Sequence, residues 1–157
     1  MQLGYQAESG PWRNFYLTGS KDLTRNEKPY TPVLTNYQTI SQMDTETLFD
    51  FCAIQINKNK AEGKEVVLNL HFNDTGEDAS LILKNSVLNH RLNRHEEDAP
   101  LDLTLSKKDF VSLFFGTTNL KELCQDQKAS ANGCKEIIDI LTSCVETAHP
   151  NFNIVIP

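Results

Sequence analysis

Histidine and cysteine are the residue types in this chain best suited to metal binding or nucleophilic chemistry, and neither is spaced for it. A binuclear zinc hydrolase needs several imidazoles and carboxylates converging on its metals, usually supplied in part by a His-x-His-x-Asp-His loop. His71, His90, His95 and His149 form no such run. His71 and His90 could project from neighbouring strands, although a partly exposed sheet histidine accounts for each. His95, followed by Glu96, Glu97 and Asp98, reads as a solvated acidic loop. Cys52, Cys124, Cys134 and Cys144 contain no Cys-x-x-Cys pair and no zinc-site spacing, so small apolar filler is the reading for all four. Were residues 134–148 one helix, Cys134 and Cys144 would stand about 15 Å apart along its axis, beyond disulfide reach. A Gly-x-Ser-x-Gly elbow and the two glycine-rich nucleotide motifs are absent as well. The sequence therefore assigns no catalytic residue and no metal ligand.

Apolar binding is the chemistry that the residue types do support. Phe110, Val111, Leu113, Phe114 and Phe115 span roughly 200° of a helical wheel at 100° per residue, more than one sheet face can cover. The second surface is either the next helix, around Leu120 and Leu123, or a bound apolar molecule. These seven residues are the candidate lining of an alkyl-chain site, and plain core packing is the competing reading. A buried methylene contributes about 0.8 kcal/mol, so a ten-carbon tail can gain several kcal/mol after ordering costs without any polar contact.

Length and composition set the frame for that helix. At 157 residues, 39% apolar and 23% charged, the chain suffices for one well-buried core and not two. Its net charge of −6, with scattered lysines and arginines, leaves no footprint for nucleic acid. No apolar run approaches the length of a membrane span, and no signal-like segment follows Met1.

The elements around it follow from periodicity. Pro11 enters a first helix carrying Trp12, Phe15, Tyr16 and Leu23, weakened at Gly19. Residues 26–40, with Pro29, Pro32 and Asn36, read as a linker. Leu48, Phe51, Cys52 and Ile56 predict a helix from Asp44 to Lys60, capped at Asp44 or Thr45 and closed by Gly63. Val66, Leu68, Leu70 and Phe72 alternate with polar or exposed positions, the period of a half-buried strand. A turn at residues 73–77 leads to a second strand through Ala79, Leu81 and Leu83. A tight turn at 84–87 leads to a third strand over 87–92, and a fourth covers 101–105. Four consecutive strands predict an antiparallel meander. Ser106, with Asp109 three positions on, caps the apolar helix, and Gly116 ends it. Residues 128–131 are a weakly signalled fifth strand. A last helix over 133–148 aligns Cys134, Ile137, Ile138, Leu141, Val145 and Ala148 before Pro150. Strands grouped together and flanked by helices predict an α+β fold, an antiparallel sheet of four to five strands with helices on one face.

Two groups of residues carry a family resemblance. The run Gly4-Tyr5-Gln6-Ala7-Glu8-Ser9-Gly10-Pro11-Trp12-Arg13-Asn14-Phe15-Tyr16-Leu17-Thr18-Gly19 resembles the end of the dimerisation domain of bacterial-type alkylsulfatases, zinc hydrolases of the metallo-β-lactamase superfamily. The strand 66–72, the turn Asp74-Thr75-Gly76-Glu77, the hairpin 84–91, Asp102-Leu103-Thr104-Leu105, Gly116 before Leu120, and the ending 152–157 resemble the sterol-carrier-protein-like C-terminal domain of the same enzymes. Ser86 departs from the glycine common there, residues 125–133 match poorly, and the segment 29–37 has no counterpart. The resemblance implies that residues 1–25 are the tail of a helical dimerisation domain, 26–40 a linker, and 41–157 the C-terminal domain. It implies missing N-terminal catalytic and dimerisation domains, a homodimeric parent, and zinc in that parent with no cofactor in this chain. The implied ligand is a long-chain alkyl sulfate or fatty alcohol. Three roles are open: an accessory domain guiding the alkyl chain, a structural domain that stabilises the parent and its dimer, and a free-standing lipid carrier. The compartment is left open between periplasm, exterior and cytosol.

Overall fold

The computed structural model describes residues 2–24 and 37–146, which belong to two compact units. The proline-rich part of the proposed linker, the end of the expected last helix at Ala148, its stop at Pro150 and the closing 152–157 motif lie outside the described residues.

The first unit contains a short helix α1 (Gln2–Gln6) packed on α2 (Gly10–Thr24). Pro11 sits in the first turn of α2, where its missing N–H breaks no helical bond. The helix runs through Gly19, which is buried. Gly4 is the point of closest approach. A β-carbon there would stand 2.8 Å from Leu17 Cδ2, so a side chain at this position would have to displace Leu17. Trp12 is 67% exposed, and Leu3, Tyr5, Phe15 and Leu23 are exposed with it.

The second unit is α+β, as the element pattern predicts. Residues 37–40, read from sequence as linker, belong to helix α3 (Tyr37–Ser41). Ile40 of α3 is buried and Tyr37 packs 5.5 Å, centroid to centroid, from Phe115. Two apolar residues in so short a stretch give no readable period. Helix α4 (Thr45–Ala53) starts at Asp44, whose carboxylate accepts from the Thr47 amide at 2.9 Å and the Thr47 hydroxyl at 2.7 Å. The single helix expected to Lys60 is in fact two. After α4 the backbone opens, Ile56 bridges Val145, and Asn57 caps a separate α5 (Lys58–Ala61). The break is explained by distant partners: Asn57 N–H donates to the Cys144 carbonyl at 2.9 Å, and Glu146 N–H donates to that of Gln55 at 2.8 Å.

Strands β1 (Val66–Phe72), β2 (Glu77–Lys84), β3 (Val87–Leu92), β4 (Leu101–Leu105) and β5 (Ala129–Gly133) form one sheet ordered β3-β2-β1-β4-β5. The expected meander is corrected here. The first three strands are antiparallel neighbours, but β4 crosses to the other side of β1 and pairs with it in parallel, Leu70 opposite Leu103. Antiparallel β5 closes that side, Leu103 opposite Ala131. A hairpin can join only antiparallel strands, so the β3–β4 connection must cross the sheet. Residues 93–100 make that crossing.

Beyond β4 come α6 (Lys107–Phe114), α7 (Leu120–Gln125) and α8 (Glu136–Ser143). The Ser106 hydroxyl accepts from Asp109 N–H at 3.1 Å and donates to its carboxylate at 2.6 Å. The last helix is shorter than expected, because residues 129–133 are drawn into the sheet and Cys134 N–H is held by the Pro100 carbonyl at 2.8 Å. Pleat parity then separates two chemistries. Val66, Leu68, Leu70 and Phe72 face the helices together with Leu81, Leu83, Leu101, Leu103 and Leu105, and all are buried. The opposite face carries Asn69, His71, Asp78, Ser80 and Asp102, with the crossing loop laid over part of it.

Candidate ligand-binding site

The helix singled out from sequence lies against the core. Ser106 starts α6 so that Phe110, Val111, Leu113 and Phe114 turn inward, each at most 3% exposed. Phe110 stands edge-on to Phe49 and Phe72 at 5.8 and 5.7 Å, and Phe114 lies 5.9 Å from it. Such edge-to-face and tilted contacts add to the stabilisation from burial alone. Phe115, half-buried, packs at the border of this cluster against Tyr37, Phe51 and Phe114. Leu120 and Leu123, one turn apart on α7, are buried as well. The wide apolar arc is thus satisfied by protein on several sides: the sheet, α4, α3 and α8.

Of the seven residues, Leu120 also lines a cavity. It opens between α7 and α8, has a volume of about 320 Å³, and is lined by Asn119, Leu120, Lys121, Cys124, Lys135 and Asp139. This size falls at the lower end of small-molecule sites. The lining combines an apolar wall with cationic groups. Sequence reasoning missed Lys121, Cys124, Lys135 and Asp139, because the cavity exists only where α7 meets the start of α8, a contact that no local periodicity encodes. The signal present was spacing: Lys121 and Cys124 are three apart and Lys135 and Asp139 four apart, each pair able to share a helix face.

Two polar clusters lie elsewhere. Where α4, the β1–β2 turn and α6 begin, Glu77 accepts from Thr45 at 2.6 Å and Thr75 at 2.8 Å and pairs with the buried Lys107 at 3.4 Å. The hydrogen bond from Thr45, then that from Thr75, and the Lys107 charge hold its carboxyl below the usual range. Asp74 accepts from the Lys107 amide at 3.0 Å and Lys107 Nζ donates to the Met43 carbonyl at 3.2 Å, so the cluster ties three element ends together. On the open sheet face His71 Nδ1 and His95 Nε2 lie 2.7 and 3.3 Å from the same Asp78 oxygen. His71 and His90, imagined as neighbours, are on opposite faces. His90 points to the helices, 5.5 Å from the Phe49 ring.

Among the described residues no group of three or more His, Cys, Asp or Glu is arranged to hold a metal ion. Cys52 and Cys144 are buried filler as expected, and burial pushes the Cys52 thiol up. Cys134, exposed between β5 and α8, corrects the expectation that all four are filler. No described helix is long and apolar enough to cross a membrane.

Comparison with known proteins then decides the family. Residues 34–157 match the model described as alkyl sulfatase C-terminal. The chain belongs to the alkyl sulfatase C-terminal family. This member is 35% identical to a linear primary-alkylsulfatase from a Pseudomonas species over 99% of the chain and 23% of that protein. It spans about a quarter of the length of the curated relatives it matches. It superposes on the stereoselective inverting sec-alkylsulfatase Pisa1 from Pseudomonas sp. with TM-score 0.85 and 26% identity, covering 97% of this chain and 24% of that one. The UbiJ-SCP2 ubiquinone synthesis protein matches with TM-score 0.50 and 14% identity over 75% of this chain and 93% of its own. That likeness is one of fold, and the C-terminal family member has the sterol-carrier-protein-like α+β architecture.

Proposed function

We propose that this domain binds the alkyl chain of a long-chain sulfate ester and guides it toward the catalytic part of a longer alkylsulfatase. The observation that carries the reading is the α7–α8 cavity with Leu120 in its wall, in a domain of the alkyl sulfatase C-terminal family. The remaining six sequence candidates do not line this cavity: Phe110, Val111, Leu113, Phe114 and Leu123 belong to the core and Phe115 packs against it. In this proposal the zinc chemistry of a metallo-β-lactamase-type enzyme belongs to the other domains, and the exposed aromatic face of α1 and α2 packs in a dimerising region of the parent.

A second reading, a purely structural domain, is favoured by a specific observation. Phe110, Val111, Leu113, Phe114, Leu120 and Leu123 are each at most 5% exposed, covered by the protein's own side chains. Backbone chemical shifts of the chain titrated with dodecyl sulfate below its micelle concentration separate the two. Saturable shifts confined to α6, α7 and α8 support ligand binding. The absence of localised shifts, or loss of the folded spectrum, leaves the structural role.

A further inference from the structure

The α7–α8 cavity has a polar half for which tail binding gives no use. Lys121 of α7 and Lys135, the residue that precedes α8, both line it, and among the described residues neither takes part in an ion pair. Lys60, Lys84, Lys107 and Lys128 each have a carboxylate within 4.0 Å, whereas Lys58, Lys64 and Lys108 have none among the described residues; what sets Lys121 and Lys135 apart is that both line one cavity. Asp139 lines the same cavity and pairs with neither lysine. In a chain of net charge −6, two uncommitted ammonium groups on a cavity walled by Leu120 and Cys124 form a local cationic, amphipathic pocket. Lysine suits this arrangement: its methylene stem extends apolar surface while its head keeps a charge. Such a site complements a molecule that joins one negative charge to an unbranched apolar chain.

We infer that Lys121 and Lys135 recognise the sulfate head of a linear alkyl sulfate in this cavity, so that the domain distinguishes substrate from product by charge. The inference rests on the proposed alkyl-chain function and adds to it a polar subsite. Hydrolysis converts the ester and water into a neutral alkanol and inorganic sulfate. The alkanol keeps the tail and loses the anion; the sulfate keeps the charge and loses the tail. Each product therefore satisfies only half of the pocket. A domain that held the tail alone would retain alkanol as firmly as ester and become occupied by product. Placing charge beside the apolar wall removes that problem, and Asp139, as a like charge to the ligand, keeps retention moderate.

Calorimetric titration of the 157-residue chain at low salt tests this, with octyl sulfate below its micelle concentration, 1-octanol and inorganic sulfate as probes. Octyl sulfate is expected to bind about tenfold more tightly than octanol, and inorganic sulfate more weakly than either. Replacing both lysines, Lys121→Gln with Lys135→Gln, should weaken octyl sulfate about tenfold and leave octanol unchanged. Asp139→Asn should tighten octyl sulfate about threefold, a gain that loss of folding cannot mimic. Equal affinity of the double variant and the parent chain for octyl sulfate overturns the inference, as does a parallel loss for octanol. Octyl sulfate binding that leaves the backbone resonances of 119–124 and 135–139 unmoved overturns the lysine subsite and leaves tail binding standing. If neither amphiphile binds, the proposed function falls with it.

Discussion

Asn69 and Glu96 close a two-bond ring across the open face of the sheet. The Asn69 carboxamide donates to the Glu96 carbonyl at 3.0 Å and accepts from the Glu96 amide at 2.9 Å. A side chain thus takes the place of a strand partner. The same carboxamide donates to Asp102 at 2.8 Å, tying the crossing loop to the strand it delivers. Asn69 is 5% exposed, so its polar atoms depend on these bonds.

Asn69→Ala should therefore destabilise the domain by about 2 kcal/mol, since it leaves the Glu96 N–H without its partner and removes donors from the Glu96 carbonyl, which keeps the Ala99 amide, and from Asp102. In urea unfolding the midpoint falls, and amide exchange over residues 93–100 accelerates more than over β1. Unchanged exchange in that loop would show that Asn69 is not what holds it.

Gly133 carries a different constraint. Its φ is +109°, and a β-carbon there would stand 2.2 Å from the Pro100 carbonyl oxygen. Gly133→Ala is expected to cost about 3 kcal/mol, strain and overlap combined. Gly76→Ala, also at positive φ but with open space around it, should cost only about 1 kcal/mol. Thermal unfolding of both variants checks the ordering.

Ser86 stands in the left-handed region of the β2–β3 turn. Asn85 and Ser86 have φ of +53° and +62°, the left-handed pair of a two-residue type I′ hairpin loop. Serine has a β-carbon in a conformation glycine adopts freely, so Ser86→Gly should stabilise by about 0.5–1 kcal/mol. A fall in the unfolding midpoint would refute this account of the turn.

Glu77 gives the pH response a sign. Its carboxyl is held below the ordinary value of 4.5 by Thr45, Thr75 and Lys107, so the folded state favours the ionised form. That stability is complete above the unfolded pKa and is lost as pH falls through the folded one. The side chain is 43% exposed, and screening limits the effect to less than about 1 kcal/mol. Asp78, lowered chiefly by the His71 hydrogen bond, titrates in the same sense. Urea midpoints between pH 6 and pH 3 should fall, and less steeply in Glu77→Gln. Equal slopes would remove Glu77 from the acid response.

The sequence by itself determined every element whose cause is local. Alternation over Val66–Phe72 specified a one-sided strand, Asp44 and Ser106 announced their helices, and turn residues at 73–77 and 84–87 made the hairpins. The order of these motifs was sufficient to indicate the alkyl sulfatase family. Tertiary structure alone decided which side of β1 receives β4, since periodicity marks a strand's buried face and says nothing of its neighbour. It broke the helix after Ala53 through bonds to residues 144–146, and placed His71 and His90 on opposite faces by pleat parity. The candidate site divides the same way. Phe110–Phe115 were legible as a wide apolar arc, whereas the cavity between α7 and α8 depends on how the two helices on either side of β5 come together. Its lysines are ordinary surface residues until packing brings Lys121 and Lys135 to one opening.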